Sequence, residues 1–193
     1  DLTLYVLQRT IDDLAAWCQH GLVVSAAVNI SAKLVYSNEF IDKAKRILAE
    51  TGIPRNRLIF EVTESATIDD PSAAVAALQH FRDLGIAISM DDYGTGQSTL
   101  TYLKQLPLSE LKIDRSFVQH AHEDANDALL VQSTIDLAHR LGLRVVAEGV
   151  EDRSCLTFLR EAGCDLAQGY FIGRPTSPEE IREMLTSHTS LAA

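Results

Sequence analysis

Two adjacent carboxylates, Asp91 and Asp92, end the apolar run Ile86-Ala87-Ile88-Ser89-Met90 and lead into Tyr93-Gly94-Thr95-Gly96. The run has the composition of a short strand covered on both faces. Gly94 and Gly96 give the chain freedom to turn sharply beside the acids. Two aspartates side by side repel each other by about a kcal/mol or more at short range in a low dielectric. A cation between them relieves that repulsion, and a divalent metal is the usual one. The plain alternative is that the pair caps the next helix and faces water.

Further polar groups recur at matching places. Asn29 lies near the end of an apolar segment, Glu61 and Glu64 close another, Lys112 and Asp114 fall in a third, and Glu148 and Gln168 follow two more. One Asn and several carboxylates, with no His or Cys among them, form a hard oxygen set. Such a set suits Mg2+ or Mn2+ better than zinc. Two such ions bridged by an aspartate can clamp a phosphodiester and generate hydroxide from water. Lys112 could neutralise phosphate charge or hold the attacking water. It could equally be a buried lysine paired with a carboxylate.

Period and punctuation give the elements that must carry these groups. Leu4, Leu7, Ile11, Leu14 and Cys18 predict an amphipathic helix over 2–20 closed by Gly21, with Trp17 along its edge. A strand is expected at 22–30, then a helix at 38–50 capped by Ser37 or Asn38. A strand at 57–64 precedes a helix at 71–84, with Asp69 or Asp70 as cap and Pro71 in the first turn. After the strand at 86–90 come a short helix near 98–105, a strand at 108–114 and a long helix over 126–141. The remainder reads as a strand at 143–148, a helix at 152–162, a short strand at 165–167 and a last helix at 179–187. The tail 186–193, small and polar, is expected to fray.

Strand and helix alternate throughout, which predicts a parallel sheet with helices outside it. In such a sheet the C-terminal strand ends lie on one side, so the polar groups share that side. An open doubly wound sheet would concentrate them at one switch point. Their spread over every strand favours a TIM-like (β/α)8 barrel. Eight strands need about 250 residues, and the chain has 193. The expectation is therefore an incomplete barrel of about six βα units, its N-terminal strands absent or their place taken by something else.

The length predicts one domain over residues 1–193. A formal net charge of −10 argues against DNA and anionic-membrane binding. It leaves room for an anionic substrate, since bound divalent ions reverse the field locally. No apolar run reaches the ~20 residues of a membrane span, so no direct membrane insertion is expected. Cys18, Cys155 and Cys164 contain no Cys-x-x-Cys pair and read as reduced thiols of a cytoplasmic protein, or of the cytoplasmic part of a membrane-anchored parent. His120 and His122, in an acidic stretch, are not expected to bind zinc.

Taken in order, Asn29-Ile30-Ser31, Glu61-Val62-Thr63-Glu64, Asp91-Asp92-Tyr93-Gly94-Thr95-Gly96, Lys112-Ile113-Asp114, Glu148-Gly149-Val150-Glu151 and Gln168-Gly169-Tyr170 resemble the EAL-domain family. Its members are bacterial phosphodiesterases that open cyclic di-GMP to linear pGpG. The resemblance covers essentially the whole chain. It implies that Asn29, Glu61, Asp91 and Asp92 bind two Mg2+ or Mn2+ ions, with Asp91 as the bridge. By the same resemblance Lys112 holds the hydrolytic water, Glu148 is a second-metal ligand or the base, and Gln168 contacts the water or metal shell. Glu64 resembles the anchor of the loop containing Tyr93, Gly94, Thr95 and Gly96, which in this family links the metal site to homodimer contacts after Asp92. Asp114, Glu151, Gly169, Tyr170 and Pro175 are the implied substrate contacts. Fusion to sensor or diguanylate cyclase-like domains is also implied.

Some positions depart from the pattern. Tyr93 stands where Phe is common and Gln97 where an aromatic is common. The Glu-Ala-Leu signature and the phosphate-binding Arg after it are absent, and are expected on the missing strands. A cyclic di-GMP receptor without turnover is the alternative to the enzyme.

Overall fold

Six parallel strands form one sheet in the order β1-β2-β3-β4-β5-β6, each beside its neighbours in sequence. The computed structural model describes residues 2–67, 70–94 and 100–191. In chain order the elements are α1 (Leu2–Gln19), β1 (Ala26–Asn29), α2 (Ala32–Val35), α3 (Asn38–Ala49), β2 (Leu58–Thr63), α4 (Pro71–Asp83) and β3 (Ala87–Tyr93). They continue as α5 (Leu100–Leu103), β4 (Glu110–Ile113), α6 (Arg115–Val118), α7 (Ala125–Arg140), β5 (Arg144–Ala147), α8 (Arg153–Glu161), β6 (Leu166–Ala167) and α9 (Pro178–Leu191). The strand order never reverses, so there is no switch point. That is the connectivity of a (β/α) barrel, present here as an arc of six strands.

Register separates the two faces of the arc. Val28, Phe60, Ile88, Met90, Leu111 and Val145 are all buried and meet the helices. Phe40 of α3, Phe60 of β2 and Phe81 of α4 meet edge to face or tilted, with ring centroids 5.0 to 6.4 Å apart. Each such pair adds about 0.5–1.5 kcal/mol beyond the area it buries. The alternate positions, among them Glu61, Ser89, Glu110 and Lys112, share the concave face, because register partners in a parallel sheet point the same way.

Many acidic side chains cap helices. Asp70 accepts from the Ala73 N–H, with Pro71 opening α4. Asp124 accepts from Asn126 and Asp127 at the start of α7, and Asp152 from Cys155 at the start of α8. Ser37, rather than Asn38, caps α3.

Several elements differ from the sequence expectation. β1 begins at Ala26 because its partner β2 begins at Leu58, after the tight turn Arg55–Arg57. The four-residue helices α2 and α6 were not foreseen. The tail does not fray at Thr186: α9 runs to Leu191, and the hydroxyls of Thr186 and Ser187 bond back to the carbonyls of Arg182 and Glu183. Asp165 lies outside the short β6. Its carboxylate accepts from the Val145 N–H and pairs with His139, each at 2.8 Å. No helix among the described residues is long and apolar enough to cross a membrane.

Candidate active site

The β3–β4 ladder carries one extra residue. Met90 pairs with Leu111 and Tyr93 with Ile113, so Asp91 and Asp92 together oppose Lys112. In a regular strand, adjacent side chains point to opposite faces. The bulge, with Asp92 at φ +56, removes that alternation. Asp91, Asp92 and Glu148 each offer a carboxylate oxygen, and the three oxygens lie within 4.8 Å of one another.

Lys112 rises into this group from β4 and is 4% exposed. Its Nζ lies 2.6 Å from Glu148, 2.9 Å from Asp91 and 3.0 Å from Glu61. A cation does stand among the acids, and within the protein itself it is the lysine. Burial works against the ammonium, but its bonds to Glu148, Asp91 and Glu61 outweigh that cost and push its pKa up. Burial raises the Glu61 pKa despite Lys112, with Asp91 and Glu148 adding to the rise. Asp92 is also raised, first by burial and then by the charges of Asp91 and Asp114.

The other residues singled out in the sequence are dispersed around this cluster. Asn29 ends β1 in register with Glu61, at an exposed position on the same face. Glu64, 3% exposed, accepts a hydrogen bond from the Gly94 N–H at 3.4 Å, and Tyr93 is half-buried against the core. Thr95, Gly96 and Gln97 lie outside the described residues. Asp114 caps α6 by accepting from Ser116, which holds its pKa down against the opposing effect of burial.

Glu148, Glu151, Gln168, Gly169 and Tyr170 line one open cleft beside the acids. Arg115 and Gln119 line it too, and no motif marked them in the sequence. Gln119 donates to Glu151 at 2.8 Å. Gly169 is pressed against the Val150 backbone so closely that a Cβ would stand 2.1 Å from its carbonyl oxygen. Gly149, at φ +74, leaves room for the Arg115 side chain. Arg174 lies over the Tyr170 ring, 4.4 Å from its centroid. Pro175 lines a separate groove with α9 rather than this cleft.

Hard carboxylate oxygens converging at one end of parallel strands fit Mg2+ or Mn2+. Asp91, Asp92 and Glu148 would hold an ion directly, with Glu61 adjacent through Lys112.

The family model of the EAL domain matches residues 1–175. The chain is 38% identical over 178 residues to the bifunctional diguanylate cyclase/cyclic di-GMP phosphodiesterase MucR of Pseudomonas aeruginosa, covering 92% of this chain and 26% of MucR. It is 37% identical over 190 residues to the cyclic di-GMP phosphodiesterase NbdA of the same organism, covering 98% of this chain and 24% of NbdA. It therefore spans about a quarter of the length of these relatives. A solved c-di-GMP complex of the MucR phosphodiesterase superposes with a TM-score of 0.89 at 37% identity, over 93% of this chain and 73% of that one. The EAL domain of Mycobacterium smegmatis DcpA superposes with a TM-score of 0.90 at 33% identity, over 97% of this chain and 85% of that one.

Proposed function

The chain belongs to the EAL domain family, and on that premise we propose that it is the C-terminal portion of a single phosphodiesterase domain. The domain hydrolyses cyclic di-GMP to linear pGpG. The observation that carries this reading is the bulge that turns both Asp91 and Asp92 toward Glu148, with Lys112 among the acids. Two Mg2+ or Mn2+ ions would be held by Asn29, Glu61, Asp91, Asp92 and Glu148. When bound, they supply Lewis acidity and an acidified water.

The remaining work falls to side chains. Lys112, its pKa raised, stays an ammonium at neutral pH; it donates hydrogen bonds and cannot serve as a base. It is the group that orients water or an anionic oxygen. Gln168 offers an amide donor and acceptor from the same cleft as Glu148. Glu151, steadied by Gln119, is an acceptor for the N–H groups of a guanine, and Gly169 and Tyr170 form the cleft wall beside it. Asp114 belongs to the same substrate surface through its closeness to Asp92. Pro175 remains a candidate contact only for the outer part of the ligand. The bond between Glu64 and Gly94 ties the metal site to the loop after Asp92, through which a homodimer would form. A cytoplasmic location, and fusion to sensor or cyclase-like domains, complete the proposal.

The test is hydrolysis of cyclic di-GMP with Mg2+ or Mn2+ by the parent protein, and its loss in Asp91→Asn and Glu61→Gln. Full activity in Asp91→Asn would sink the metal scheme. The chain of 193 residues alone is expected to turn over little substrate. The ion pairs of Lys112 favour a second reading, a receptor that binds cyclic di-GMP without metal. Calorimetry with a chelator present separates the two.

A further inference from the structure

Tyr36 directly follows α2, and its hydroxyl donates to the Ala66 carbonyl oxygen at 2.9 Å. Ala66 is 3% exposed and sits in the turn Glu64–Thr67 that follows β2. Glu64, the first residue of that turn, accepts from the Gly94 N–H at 3.4 Å. Gly94, at φ +101, lies two residues past Asp92, where a Cβ would come within 3.1 Å of the Phe117 ring. Two hydrogen bonds, each joining residues 30 apart in sequence, thus connect the loops after β1, β2 and β3.

We propose that Tyr36 is a positioning residue for the paired aspartates. Its hydroxyl fixes the turn that carries Glu64, Glu64 fixes Gly94, and Gly94 holds the bulge in the form that aims Asp91 and Asp92 together. A short turn of this kind has few internal bonds, so an outside anchor decides its orientation. Asp92 has the left-handed backbone that persists only where surrounding structure holds it. The Tyr36 ring packs against the core, so a phenylalanine there keeps the packing and removes the hydroxyl.

This inference rests on the metal-binding function proposed above, and Mn2+ alone is the probe. Mn2+ is titrated by calorimetry into the chain and into Tyr36→Phe, while amide exchange at Gly94 is followed by NMR. The variant is expected to bind Mn2+ about fivefold more weakly, the scale of one hydrogen bond, and to exchange the Gly94 amide faster at an unchanged melting temperature. Equal Mn2+ affinity in the two proteins overturns the role of Tyr36 and leaves the function standing. An unsubstituted chain that takes up no Mn2+ overturns the function, and the inference with it. Glu64→Gln supplies the second arm. If Tyr36 acts through Glu64, the double variant binds no more weakly than Glu64→Gln alone, whereas additive losses overturn the relay. The arm also decides the matter if Tyr36→Phe melts early, because the losses are then compared on the Glu64→Gln background.

Discussion

Asp91 and Asp92 are consecutive in sequence, yet they present carboxylate oxygens within 4.8 Å of each other and of Glu148. A regular strand would send one of them into the helix layer. The extra residue opposite Lys112 and the left-handed backbone of Asp92 bring both to the concave face.

That geometry separates backbone from charge at residue 92. Asp92→Asn keeps a residue type that tolerates positive φ, so its stability should stay within about 0.5 kcal/mol while Mn2+ binding weakens. Asp92→Val forces a β-branched residue into the same conformation and should cost about 1–2 kcal/mol. Thermal melts in chelator check the pair, and equal melting points for Asn and Val would remove the bulge from the explanation.

Lys112 pairs with three carboxylates from a buried position. Lys112→Met leaves them facing one another and should cost about 3–5 kcal/mol in urea unfolding with chelator. Added Mn2+ should return more stability to the variant than to the unsubstituted protein, because the ion takes over the missing charge. A variant as stable as its parent in chelator would contradict the assignment.

Gly169 meets the Val150 backbone, whereas Gly173 has nothing within 4 Å of where a Cβ would sit. Gly169→Ala should therefore lose about 1–3 kcal/mol, and Gly173→Ala should stay within about 0.5 kcal/mol. Denaturant midpoints of the two variants make the comparison.

Burial, with the Asp152 charge behind it, pushes the Cys155 thiol up to about 11 from 9.0. A raised folded-state pKa stabilises the protein fully below the unfolded value, and that contribution is lost as pH rises through the folded one. Stability should thus decline between pH 9 and 11, and Cys155→Ala should flatten the decline. At pH near 8 a thiol reagent should modify the exposed Cys18 and spare the buried Cys155. Rapid labelling of Cys155 would show that its site opens.

Sequence patterns carried the strand order and placed most of the candidate site's residues at strand ends, because polar groups there survive any small error in element bounds. Asn29, Glu61, Lys112 and Glu148 were legible for that reason. The bulge was not, since it depends on counting residues across two strands, and β3 alone gives no hint of where β4 pairs. Arg115 and Gln119 were missed because a four-residue helix leaves no periodic signature. For Lys112 the sequence leaves two roles open, a group that holds water or phosphate or a buried lysine paired with a carboxylate. In the structure its neighbours are carboxylates.

One added backbone unit in β3 makes the difference between one aspartate and two on this stretch of the rim. Deleting Asp91 or Asp92, instead of replacing it, would let the two neighbouring strands zip in step from Ser89 to Tyr93. The shortened chain should knit a tidier ladder and bind Mn2+ more weakly, so an irregular seam is what sets these two acids side by side.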